Sequence, residues 1–228
     1  MALIQNPWLA LDASGPPYFL EADREYICGH NERCGPQYQL MVNALPEPFI
    51  GDPETAKVVL LNLNPGFDHT AEQDHRRPEI KEAIFRNLRR ESRDYPFYAF
   101  DPLFEGTGVA KYWRQYTRRL QKEAGLNDYE FGQRLLVIEW FPYASSRGGL
   151  PAKPVCPSQE YSFQLAREML TKPEVQVLGT RALACWRQAG SEFSRVPFLL
   201  NPQRPWITRG NMNSDLFDRL LRSLKEGA

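Results

Sequence analysis

Lys57-Val58-Val59-Leu60-Leu61-Asn62-Leu63-Asn64-Pro65-Gly66-Phe67 is the stretch from which the fold can be read. Val58 to Leu61 is a continuous aliphatic run with no polar residue at alternate positions. A strand with one wet face would alternate, so this pattern fits a strand buried on both faces of a parallel sheet, expected over Lys57 to Leu63. Asn64-Pro65-Gly66 ends it, because proline has no N–H to extend a ladder and glycine opens a turn.

Three later runs have the same character: Leu135-Leu136-Val137-Ile138, Val175 to Leu178, and Val196 to Leu200. They close near Phe141-Pro142, at Gly179 and at Asn201-Pro202. Helical periodicity fills the gaps. Pro78 suits a first helical turn and is followed by Ile80, Ile84, Phe85 and Leu88 on one face. Val109, Tyr112, Trp113, Tyr116 and Leu120 form a second stripe, which Gly125 can terminate in the left-handed conformation. Ser158 is placed to cap a helix carrying Tyr161, Leu165 and Met169. A fourth helix is expected from Thr180 to Gln188, stopped by Gly190, and Ser214 is placed to cap a fifth through Leu224. Strand and helix alternate, which predicts a three-layer α/β/α sandwich with a central four-stranded parallel sheet. The 228 residues suffice for one domain, with residues 1–50, rich in Pro and Gly, as an extension wrapped on the core.

Composition narrows the function classes. A hydrophobic fraction of 42% with five Trp, ten Tyr and 13 Phe is that of a folded chain. Lys plus Arg and Asp plus Glu balance at 28 each, so contact with nucleic acid would need a local basic patch. Met1 to Phe19 has neither a basic leader nor an apolar run, and no segment reaches the ~20 apolar residues of a membrane span, so a cytoplasmic monomer without membrane contact is expected. Cys28, Cys34, Cys156 and Cys185 lack the short paired spacings of zinc or iron-sulfur sites and read as reduced thiols. Cys28, His30 and Cys34 form a conceivable metal corner, and His69, Glu72, Asp74 and His75 a second group with ligand chemistry, but no metal or other cofactor is expected. Gly-x-x-x-x-Gly-Lys and Gly-x-Gly-x-x-Gly do not occur, so nucleoside triphosphate and dinucleotide functions lose their best marker.

Ligands of open parallel sheets bind at the carboxyl ends of the strands. Asn64-Pro65-Gly66-Phe67, Phe141-Pro142-Tyr143-Ala144-Ser145 and Asn201-Pro202-Gln203-Arg204-Pro205-Trp206 all fall there. An Asn amide both donates and accepts, so it can orient a water or read a nucleobase edge. Asn64 and Asn201 are therefore expected to face each other across one pocket. The plain alternative is that both Asn-Pro pairs are turns after strands.

The segment Val58 to Gly66 resembles the first motif of the uracil-DNA glycosylase superfamily, above all its mismatch-specific uracil/thymine branch, where a strand ends in Gly-x-Asn-Pro-Gly. Phe198-Leu199-Leu200-Asn201-Pro202-Gln203 is similar to the second motif, a strand ending in Asn-Pro-Ser or His-Pro-Ser, and Val175 to Ala182 resembles the intervening strand. Asn62 stands where the family usually has Gly, and Gln203 where it has Ser. The resemblance implies metal-free hydrolysis of an N-glycosidic bond in DNA, with uracil or a related deaminated or mismatched base flipped into a pocket. Asn64 would orient the attacking water and Asn201 would stabilise charge on the departing base. Leu63, Pro65, Gly66, Phe67, Tyr143, Pro202 and Gln203 would line the pocket, with Phe67, or a ring among Phe97, Tyr98 and Phe100, on the face of the base. Arg204 and Arg209, with Arg89 and Arg90, would hold phosphates. The same fold without turnover, as a nucleobase-binding or interaction module, is the other reading.

Overall fold

Val58–Asn62 forms β2, buried at all five positions, at the centre of a sheet of order β1-β3-β2-β4. This computed structural model describes residues 5–67, 69–147, 150–151 and 153–226. β3 is Leu135–Glu139 and β4 is Gln176–Gly179, both parallel to β2, in a register that pairs Val58 with Leu135 and with Gln176. Leu60 and Leu61 are fully buried. Each such side chain contributes roughly 1.5–3 kcal/mol relative to exposure.

The sheet is mixed, which corrects the expectation of four parallel strands. Its fourth strand, β1, is Phe49–Ile50 and runs antiparallel to β3, with Phe49 opposite Ile138. Val196 to Leu200 does not extend the ladder. Gly179 N–H donates to Pro197 O at 2.8 Å, Leu199 N–H returns a bond to Gly179 O at 3.0 Å, and Phe198 makes only an isolated bridge to Gly179. Pro197 has no N–H to continue the pairing, and β4 ends at Gly179. The extension thus supplies the strand that the sequence pattern assigned to the second motif.

Among the described residues there are eight α-helices. They are α1 (Arg24–Arg33), α2 (His69–His75), α3 (Pro78–Leu88), α4 (Gly108–Ala124), α5 (Asp128–Gly132), α6 (Gln159–Thr171), α7 (Leu183–Ala189) and α8 (Ser214–Lys225). Gly125 closes α4 at φ 75°, as its position suggested. Ser214 opens α8, but the capping side chain is that of Asn213, which accepts from Asp215 N–H at 2.8 Å. Ser158 precedes α6 without a side-chain cap; its N–H donates to Asp23 at 3.1 Å. α7 starts later than expected, because Ala182 is left-handed at φ 60°. One hydrophobic core runs from Trp8 to Leu224, and Trp8, Leu11, Tyr18, Leu20 and Ile27 of the extension are buried in it. No helix among the described residues is long and apolar enough to cross a membrane.

Candidate functional site

The parallel register sets Asn62 beside Glu139 as the last residues of two adjacent strands. Cross-strand partners share a face, so the two side chains meet, and Asn62 Nδ2 donates to Glu139 Oε1 at 3.0 Å. They are 4% and 3% exposed. Asn62 is fixed from the other side by Thr180, whose Oγ1 lies 3.1 Å from Oδ1, and Trp186 Nε1 donates to the Asn62 carbonyl at 2.7 Å. Burial pushes the Glu139 carboxyl up to about 8, against the lowering effect of the Asn62 bond; nearby Glu47 adds to the rise and Arg181 opposes it. Glu139 is therefore mostly a neutral acid at pH 7, and its buried Oε2 has no hydrogen-bond partner among the described residues.

Both residues line a cavity of about 340 Å³ at the carboxyl end of β2, the strand that has β3 on one side and β4, reached by a crossover, on the other. The antiparallel β1 brings in Glu47, because Glu139 N–H donates to Pro48 O at 2.8 Å and Glu47 N–H to Pro142 O at 2.9 Å. Glu47 accepts from the Tyr98 hydroxyl and lies 3.4 Å from His75 Nε2. Leu45 N–H donates to His75 Nδ1 at 3.2 Å, so in the neutral ring Nε2 carries the proton and points at Glu47. Burial, followed by the Glu47 charge, raises the Tyr98 phenol well above its ordinary value, and burial raises Tyr112, whose hydroxyl faces Asn62. Asp74 is occupied by Gly108 N–H at 3.3 Å.

Leu63, Asn64, Pro65, Gly66 and Phe67 all line this cavity. Asn64 Nδ2 donates to Pro65 O and Ser145 Oγ at 3.0 Å each and to Tyr143 O at 3.3 Å, and its Oδ1 accepts no hydrogen bond from the described residues. Phe67 stands edge-on to His75 at 6.4 Å. Gly66 is not at positive φ, and a Cβ there would meet open space, so its turn does not require glycine. Phe97 and Phe100 stack on each other at 5.0 Å inside the core, whereas Tyr98 of the same cluster lines the cavity.

Asn201, Pro202 and Gln203 are exposed and do not line the cavity, so the shared Asn64–Asn201 pocket is not formed. β4 separates the two loops, and Asn201 Oδ1 accepts from Gln203 and Arg204 N–H at 3.1 and 3.3 Å, the bonding of a plain turn. Tyr143 is also outside the cavity: it is 1% exposed and its hydroxyl donates to Asp23 at 2.5 Å, tying the extension to the β3 loop. Of the expected phosphate contacts, Arg89 lies 3.7 Å from Glu91, Arg90 pairs with Glu54 at 2.7 Å, and Arg209 with Asp218 at 2.7 Å and Glu123 at 3.3 Å. Arg204 is exposed.

Among the described residues no three His, Cys, Asp or Glu side chains are grouped to hold a metal. His30 bonds Tyr38 O at 3.0 Å, and the side chains of His69 and Glu72 lie outside the described residues. Asn62, Glu139, Glu47 and Arg181 line the cavity without being among the site residues expected from the sequence. Glu139 carried a usable signal, a carboxylate directly after an all-apolar strand run; Glu47, between two prolines, carried none. Comparison of the chain with protein-family models, with curated proteins and with solved structures finds no match in any of the three.

Proposed function

We propose that the chain binds a planar, nucleobase-like heterocycle in this cavity and hydrolyses its N-glycosidic bond, on a three-layer α/β/α version of the fold. The observation that carries the reading is the Asn62–Glu139 pair: a buried amide beside a buried neutral acid with an uncommitted oxygen, in a cavity walled by Phe67. A ring carbonyl or ring nitrogen is the partner such a pair lacks. When water adds to the sugar carbon and the carbon–nitrogen bond breaks, the electron pair leaves with the base. Glu139 can pass its proton to the departing nitrogen, meeting the charge that the resemblance gave Asn201 to stabilise, while Asn64 Oδ1 orients the water. The water's own proton is lost to solvent, from which Glu139 is reprotonated.

Binding without turnover is the second reading, favoured by the position of Asn201 outside the cavity. Both are tested by base release from single- and double-stranded oligonucleotides and from free nucleosides carrying uracil, hypoxanthine, xanthine or mismatched thymine. Base release by the wild type and its loss in Asn64→Ala, with ligand-induced thermal stabilisation kept, supports hydrolysis. Stabilisation without base release leaves the binding module, and neither response rejects both.

A further inference from the structure

Arg181 stands two residues beyond the end of β4 and lines the same cavity. It makes no side-chain hydrogen bond or ion pair among the described residues, and its Nε is buried without a partner. A guanidinium half-withdrawn from water and unpaired is costly, and its five N–H donors suit an oxyanion. The groups that act on the same space are Glu139 from β3 and Tyr112 from α4, each influenced by the Arg181 charge but neither bonded to it. The other carboxylates of the cavity are engaged elsewhere, Glu47 by Tyr98 and His75 and Asp74 by Gly108. Ala182, held at φ 60°, is a left-handed non-glycine residue immediately behind Arg181, a strained conformation that clusters at ligand sites.

The cavity of about 340 Å³ lies in the range of small-molecule sites and leaves room beyond a single ring. We propose that its occupant is a mononucleotide, with the base at the Asn62–Glu139 end and the phosphate on Arg181. This rests on the base-pocket reading above and adds the anion. A polymer source of the phosphate is less favoured, because Arg89, Arg90 and Arg209 on the surface are already paired with carboxylates.

The test is calorimetric titration of the full chain with uridine, inosine and xanthosine and with their 5′-monophosphates, in the wild type and in Arg181→Gln. At least one monophosphate is expected to bind about tenfold or more tighter than its nucleoside, the gain of a single charged contact near 1.4 kcal/mol. Arg181→Gln should bring that monophosphate to the affinity of its nucleoside, leave nucleoside binding unchanged and not lower the melting temperature. Nucleoside and monophosphate binding equally in the wild type overturns the phosphate site and spares the base pocket. No binding by any pair overturns both. Orotate, a base bearing its own carboxylate, and a trinucleotide identify the source of the anion. Arg181-dependent binding of orotate tighter than of any monophosphate, or of the trinucleotide tighter than of its monophosphate, overturns the mononucleotide assignment.

Discussion

The buried Glu139 carboxyl couples one protonation equilibrium to folding. Its folded-state pKa, about 8, lies above that of an unfolded glutamate, so the folded chain holds a proton that the unfolded chain has released. The unfolded state binds fewer protons between the two values, and stability therefore falls as pH rises through that window, staying low above pH 8. Glu139→Gln, which keeps the shape and the Asn62 bond but cannot ionise, is expected to lie within about 1 kcal/mol of the wild type near pH 5 and to gain roughly 4 kcal/mol more on it by pH 9 in denaturant titrations. Parallel pH curves for the two proteins would show that Glu139 ionises normally. Gly66→Ala is the complementary case: open space at its Cβ predicts a stability change within ~0.5 kcal/mol, with any loss confined to ligand binding.

At the scale of elements, β1 depends on one amide. Asn87 of α3 donates to Phe49 O at 2.7 Å and accepts from Gly51 N–H at 3.2 Å, both buried. Asn87→Ala leaves two backbone groups unpaired and is expected to cost about 2–4 kcal/mol in chemical denaturation. Because β1 carries the chain past Glu47, the variant should also lower ligand affinity. Gly51 at φ 115° adds a second constraint: a Cβ there would sit 2.4 Å from Leu135 O, so Gly51→Ala should be at least as damaging. Strand β2 and the helices α3, α4 and α8 were legible from periodicity because each buries a face of its own residues. Val196 to Leu200 has the composition of a strand, yet Leu199 is buried while Leu200 is 74% exposed, and the unmatched Pro197 keeps it out of the ladder.

At the scale of the whole molecule, Asp23 ties the extension to the middle and last thirds of the chain. Asp23 of the extension accepts from Tyr143 at 2.5 Å and from Ser158 N–H at 3.1 Å, on the side of the sheet where the cavity loop turns. Tyr143→Phe is expected to lower stability by roughly 1–3 kcal/mol, a fall of several degrees in melting temperature for a chain of this size. A change under one degree would show that the extension is not fastened there. Net charge is zero and three of the four proposed phosphate contacts already have acidic partners, so duplex DNA binding should be weak, with log affinity falling against log salt at a slope shallower than about −3.

Local pattern alone determined the alternating α/β order, the buried central strands and the placement of Asn64-Pro65-Gly66-Phe67 at a strand end, because side-chain periodicity and turn chemistry act between near neighbours. Only the tertiary structure decided that β1 joins antiparallel, that Asn201 turns away beyond β4, and that Asn62, Glu139, Glu47 and Arg181 share one cavity. Those outcomes depend on register between strands far apart in the chain and on how deeply a carboxyl is buried. Neither quantity is a property of any short stretch of residues.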